Sequence, residues 1–122
     1  MGKKVLSVDD SSTMRQIIKS CLEKEGYTVT EAADGLDGLE KVKTEEAYDL
    51  FLVDVNMPNM DGISFVKEIR KDNRFSSTPI LMLTTESLSE KKTEGAAAGA
   101  TGWIVKPFNP DDFVKTINRV TA

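Results

Sequence analysis

Four short runs dominated by branched apolar residues, Val5 to Val8, Leu50 to Val53, Ile80 to Leu83 and Ile104-Val105, are spaced along the chain with helix-like stretches between them. A fifth run, Tyr27 to Ala32, alternates apolar and polar residues and completes a repeating strand-helix pattern. Near-continuous apolar strands imply burial on both faces, as in a parallel sheet covered by helices on each side. The pattern therefore predicts an α/β protein of (βα)5 architecture.

The helices carry their own signals. Met14, Ile17, Ile18, Cys21 and Leu22 follow the i, i+3, i+4, i+7, i+8 spacing of one apolar stripe, opened near Ser11-Ser12 and closed by Gly26. Cys21 falls in that stripe and reads as a packed core thiol. Asn109-Pro110-Asp111-Asp112 supplies a cap, a proline at the first helical position and acids in the first turn. Phe113, Val114, Ile117 and Val120 then form the buried face of the last helix. The stretch Leu88 to Ala98 differs, with one large apolar residue, three consecutive alanines, Lys91-Lys92 and Gly95. Glycine costs about 1 kcal/mol relative to alanine inside a helix, so this helix is expected to be the most weakly held. Both an element that shifts and an ordinary surface helix fit it.

Composition narrows the function. The 122 residues suffice for one compact domain, expected over 1–122 with no linker and no output domain. With 16 Lys+Arg against 20 Asp+Glu the net charge is −4, which argues against a nucleic-acid or anionic-membrane partner. The absence of His removes His-ligated metals, His-activated nucleophiles and any phosphohistidine on this chain. A single Cys suits a reducing compartment. The apolar runs are too short to span a bilayer, and the start resembles neither a signal peptide nor an anchor. A soluble, cytoplasmic monomer is expected.

In parallel α/β sheets, ligands bind beyond the carboxyl ends of the strands. Asp9-Asp10 follow the first run, Asp54 ends the third, Thr84-Thr85 follow the fourth and Lys106 ends the fifth. Taken singly, Asp9 or Asp10 fits a helix cap equally well. Gathered together, three carboxylates repel one another unless a cation sits among them. An all-oxygen donor set points to a hard divalent ion, and Mg²⁺ is usual where phosphate is handled. A carboxylate held beside Mg²⁺ and an ammonium can attack phosphorus to give an acyl phosphate. Thr84 is placed to offer a hydroxyl to a phosphoryl oxygen.

Asp9-Asp10, Asp54 within Asp54-Val55-Asn56-Met57-Pro58-Asn59-Met60-Asp61-Gly62, Leu83-Thr84 and Lys106-Pro107-Phe108 together resemble the receiver domain of two-component response regulators, in its single-domain chemotaxis form. The resemblance implies a flavodoxin-like, doubly wound sheet of five strands in the order 2-1-3-4-5. It makes Asp54 the phosphoacceptor, supplied by a phosphohistidine on a histidine kinase or phosphotransfer protein. Mg²⁺ would be held by Asp9, Asp10, Asp54 and the main-chain carbonyl of Asn56. Lys106 would contact the phosphoryl group, and Lys106-Pro107 would be cis. Thr84 and Trp103 would form the switch, with Trp103 where the chemotaxis form usually carries Tyr. Asn56 and Glu86 would tune the phosphoryl lifetime.

The implied function is a signalling switch in chemotaxis or motility, not a turnover enzyme beyond its own phosphorylation and dephosphorylation. The Leu88 to Ala98 helix, Trp103 and the last helix would form the face read by a downstream protein. Lys91, Lys92, Lys115 and Arg119 fit either an acidic partner's site or a solvated surface. A phosphate sink or relay, and a phosphorylation-independent binding module, remain alternatives. Haloacid dehalogenase phosphatases also begin from a strand-end Asp, but resemble Asp-x-Asp, and Asn56 stands at that second position.

Overall fold

The computed structural model describes residues 3–44, 47–55, 57, 59–84 and 89–122, with the main chain alone over 89–92. The elements alternate as the periodicity predicts: β1 (Lys4–Val8), α1 (Ser12–Glu23), β2 (Thr28–Ala32), α2 (Gly35–Thr44), β3 (Leu50–Asp54), α3 (Gly62–Arg70), β4 (Ile80–Thr84), α4 (Ser89–Ala98), β5 (Gly102–Val105) and α5 (Pro110–Val120). A 3₁₀ turn over Asn73–Phe75, which the apolar pattern does not signal, joins α3 to β4.

All pairings are parallel, in the order β2-β1-β3-β4-β5. The order reverses beside β1, so the carboxyl ends of β1 and β3 flank the topological switch point. The central strands β3 and β4 are buried at every position, as their unbroken apolar runs require.

Period-two alternation divides the core into two layers. Leu6, Val8, Phe51, Val53, Ile80 and Met82 face α2 and α3, where Val42, Phe65, Val66 and Ile69 meet them. Val5, Leu50, Leu52, Leu81 and Leu83 face α1 and α5, meeting Ile18, Leu22, Phe113 and Ile117.

Helix ends follow the sequence closely. Ser11 caps α1 by accepting from the Met14 amide, and Asn109 caps α5 by accepting from Asp111 and Asp112, with Pro110 at the first helical position. Within the predicted α1 stripe, Ile18 and Leu22 are buried and Met14 and Cys21 half-buried, but Ile17 is 41% exposed. The apolar stripe is wider than the contact area, and its centre runs through Ile18 and Leu22. Ile17 lies on the flank. Val114 and Val120 are likewise only half-buried beside Phe113 and Ile117 on α5.

Helix α4 occupies the predicted stretch from Ser89 onward, while Leu88 lies outside the described residues. Ala96 and Ala97 are exposed, Ala98 packs on the α2/α3 layer, and Gly95 is buried. The Arg70 guanidinium closes the C-terminal end of this helix. It donates to the Gly99 carbonyl through both Nε (2.9 Å) and Nη2 (2.8 Å), and through Nη1 to Phe75 (2.6 Å) and Thr78 (2.7 Å).

Candidate functional site

The strand ends bring together residues that are up to 97 positions apart in sequence. Asp9 immediately follows β1 and Asp54 is the last residue of β3; the two are only 2% and 7% exposed. Asp10 is exposed, and oxygens of Asp9, Asp10 and Asp54 lie within 4.8 Å of one another. Lys106 follows β5, its amide donating to the Thr84 carbonyl at 2.7 Å. Its Nζ donates to Asp9 Oδ2 at 3.0 Å and to Asp54 Oδ1 at 3.3 Å. The Lys106-Pro107 peptide bond is cis.

Alternation explains this gathering. Asp9, Asp54 and Lys106 continue the parity of strand residues that face α1 and α5, whereas Thr84 and Trp103 continue the parity that faces α2 and α3. Thr84, the last residue of β4, is 1% exposed, and Trp103 pairs in register with Met82, two residues before it. The acid cluster and the two candidate switch residues thus lie on opposite faces of the sheet, Thr84 at its carboxyl end and Trp103 midway along β5. The indole Nε1 of Trp103 is buried and donates no hydrogen bond among the described residues.

The electrostatics follow from burial. Desolvation pushes the Asp54 carboxyl up to about 6, with the neighbouring Asp9 charge adding to the rise and Lys106 offsetting part of it. One ammonium among three carboxylates leaves two negative charges, which a divalent cation would match. With oxygen donors only, the set fits Mg²⁺. Asp10 contributes a carboxylate that takes no hydrogen bond from the described residues, so its lone pairs are available to an ion.

The loop after β3 is tied down at both ends. Asn59, in the left-handed region at φ 68, donates to Asp34 Oδ2 at 2.8 Å. Asp34 in turn accepts from the Asp37 amide at the start of α2, and these hydrogen bonds hold its carboxyl below the usual range. Gly62 opens α3 with its amide donating to the Val55 carbonyl at 3.0 Å. A Cβ at Gly62 would collide with the carbonyl oxygen of Asp54. Glycine here is what lets α3 start directly beneath the site.

Among the sequence candidates, Asp9, Asp10, Asp54 and Lys106 converge, Thr84 ends the adjoining strand β4, and Trp103 lies further back, midway along β5. Asn56, Thr85 and Glu86 lie outside the described residues. Arg15, which holds the Asp9 carbonyl, and Asp34, which holds Asn59, were not singled out in the sequence. A basic residue one turn into α1, four positions after the Ser11 cap, was the available signal for Arg15, because helical side chains lean back toward the N-terminus.

The model for the response regulator receiver domain matches residues 5–118. The chain is 45% identical over 108 residues to chemotaxis protein CheY1 of Helicobacter pylori J99, covering 88% of this chain and 87% of that protein. It is also 40% identical over 116 residues to the sensor histidine kinase CheAY of Helicobacter pylori 26695, where the match covers 94% of this chain but only 14% of that protein's length. Among solved structures, chemotaxis protein CheY4 of Vibrio cholerae superposes with a TM-score of 0.94 at 51% identity, covering 98% of this chain and 99% of that one. The receiver domain of Pseudomonas aeruginosa sensor histidine kinase PA1611, with a magnesium ion coordinated in its active-site cleft, superposes at 0.89 with 29% identity, covering 99% and 98%.

Proposed function

The chain belongs to the response regulator receiver family of two-component signalling, and from that premise we propose that it is a phosphoryl-accepting switch of a chemotaxis pathway, with Asp54 as the acceptor. The observation that carries this reading is the Lys106 ammonium set between Asp9 and Asp54, beside a third carboxylate from Asp10. Likeness to CheY1 and CheY4 supports the chemotaxis context. Likeness to a segment of CheAY supports a histidine kinase as phosphodonor.

In the proposed reaction an Asp54 oxygen forms a bond to phosphorus while the bond from phosphorus to the donor's imidazole nitrogen breaks. The imidazole leaves with the electron pair and takes up a proton. Water later attacks phosphorus, the acyl phosphate opens, and Asp54 returns as a carboxylate with release of inorganic phosphate. Asp9, Asp10, Asp54 and the Asn56 carbonyl would hold Mg²⁺, which when bound supplies positive charge for the phosphoryl oxygens. Lys106, now 3.3 Å from Asp54 Oδ1, would pair with an oxygen of the phosphoryl group that Asp54 carries. Thr84 offers its hydroxyl, and Asn56 and Glu86 set the lifetime of the product.

The output in this reading is a population shift. Movement of Thr84 toward the phosphoryl group alters the room available to Trp103 on the adjoining strand. The surface of α4, Trp103 and α5 then binds its partner protein differently.

Intact-mass spectrometry after incubation with acetyl phosphate and Mg²⁺ tests the first step. One added phosphoryl group is expected in the wild-type protein, and none in Asp54→Asn or in the presence of EDTA. An adduct that survives Asp54→Asn would overturn the assignment of the acceptor.

A further inference from the structure

Asp10 is the one member of the acid cluster whose carboxylate no described side chain or amide directs. Asp9 is fixed at four points: its amide donates to the Ala32 carbonyl at 3.1 Å, Oδ1 accepts from the Ser11 amide at 2.9 Å, Oδ2 accepts from Lys106, and its main-chain carbonyl accepts from Arg15 Nη1. Asp10 has no comparable set. Its aim is set by the main chain that carries it.

That main chain is held by Arg15. The carbonyl of Asp9 belongs to the planar peptide unit that also contains the Asp10 nitrogen, so fixing the oxygen fixes the plane from which Asp10 departs. Arg15 is itself held from behind. Its Nε lies 3.3 Å from Glu31 Oε1, while Lys19 Nζ approaches the other oxygen of Glu31 at 3.9 Å. The Arg15 side chain is only 17% exposed. Glu31 stands on β2 next to Ala32, whose carbonyl receives the Asp9 amide, so α1, β2 and the end of β1 close on one turn.

We propose that Arg15, backed by Glu31, is a positioning residue for metal binding: it orients the Asp9-Asp10 peptide and thereby presents the Asp10 carboxylate to a divalent cation. The proposal rests on the reading of the acid cluster as a Mg²⁺ site. Its role is separable from simple electrostatics by sign. A guanidinium near a cation site repels the cation, so loss of its charge alone strengthens Mg²⁺ binding. Loss of its positioning weakens it.

The test is a calorimetric titration with Mg²⁺ alone on the wild-type chain, Arg15→Met, Arg15→Lys, Glu31→Gln and Asp10→Asn, with amide hydrogen exchange of the metal-free proteins measured in parallel. Arg15→Met is expected to weaken Mg²⁺ binding roughly tenfold, the scale of a lost outer partner at a metal site. Arg15→Lys, which keeps a charged donor, is expected to recover part of that loss, and Glu31→Gln to fall between Arg15→Met and the wild type. Exchange at the Asp9 and Ser11 amides, which donate to the Ala32 carbonyl and to Asp9 Oδ1, is expected to accelerate in Arg15→Met while the buried β3 and β4 amides keep their protection. Equal or tighter Mg²⁺ binding by Arg15→Met overturns the positioning role. Failure of the wild-type chain to bind Mg²⁺, or undiminished binding by Asp10→Asn, instead overturns the metal reading and the proposal with it.

Discussion

The indole of Trp103 packs directly onto the α-carbon of Gly95. A Cβ built at Gly95 would lie 2.5 Å from Trp103 Cζ3, 3.3 Å from its Cη2 and 3.2 Å from Met82 Sδ. The glycine that reads in one dimension as a weakness of α4 is, in the fold, the space that the largest side chain of β5 occupies. Gly95→Ala should therefore destabilise the protein by about 1–2 kcal/mol, since overpacking outweighs the gain in helix propensity. In a Trp103→Phe background the same change should be neutral or stabilising by up to about 1 kcal/mol. Urea unfolding of the four proteins closes this double-mutant cycle, and additive effects would remove the size match as an explanation.

Asp54 gives a pH dependence of defined sign in the metal-free protein. Its folded-state value near 6 stands above the unfolded 3.8, so between those values the folded chain binds more protons than the unfolded one. Stability from this group is therefore present at low pH and lost as pH rises through about 6. In EDTA, Asp54→Asn should be more stable than wild type at pH 7.5 by on the order of 2–3 kcal/mol, and the gap should shrink as pH falls toward 4. Denaturant midpoints across that range measure it.

Loss of Lys106 would leave Asp9 and Asp54 buried without the ammonium they share. Lys106→Met should cost about 2–4 kcal/mol at neutral pH in EDTA. Excess Mg²⁺ should restore part of that stability by supplying the missing positive charge. Thermal unfolding with and without Mg²⁺ separates the two terms, and an unchanged melting temperature in EDTA would show the pair to be energetically idle.

Gly62 supports Asp54 from below. Because a Cβ there meets the Asp54 carbonyl oxygen, which belongs to the backbone rather than to a flexible side chain, relief requires movement of β3 or α3. Gly62→Ala should cost about 3 kcal/mol and reduce labelling by acetyl phosphate in whatever fraction remains folded. A stable, fully labelled variant would contradict the tight packing.

The sequence reveals the site better than it reveals what supports it. Asp9 and Asp54 are legible because each is a charge standing at the end of an apolar run, where a parallel sheet presents its strand ends. Pro110 after Asn109 announces the start of α5 to the residue. The order of the strands is different: nothing in the periodicity distinguishes 2-1-3-4-5 from other arrangements, and the motifs supply it by resemblance. Ile17 shows a second limit, since spacing defines a stripe but not which line along it touches the sheet. Arg15 and Arg70 are less visible still. Arg70 donates to main-chain carbonyls and Arg15 reaches the site through one, that of Asp9; every residue possesses such a carbonyl, so no residue type marks the acceptor.

Asp9 and Lys106 stand 97 residues apart, and the strand that precedes Lys106 is an edge strand of the sheet. During synthesis the three carboxylates emerge first, and the only ammonium in contact with Asp9 and Asp54 among the described residues comes near the end. Contacts of such long sequence separation form late, so in a chain interrupted before Lys106 the three acids lack the ammonium that meets Asp9 and Asp54 among the described residues. The compensation is thereby tied to the completion of the sheet: a fragment can possess Asp54, but the ammonium that meets it among the described residues arrives only with the residue after the last strand.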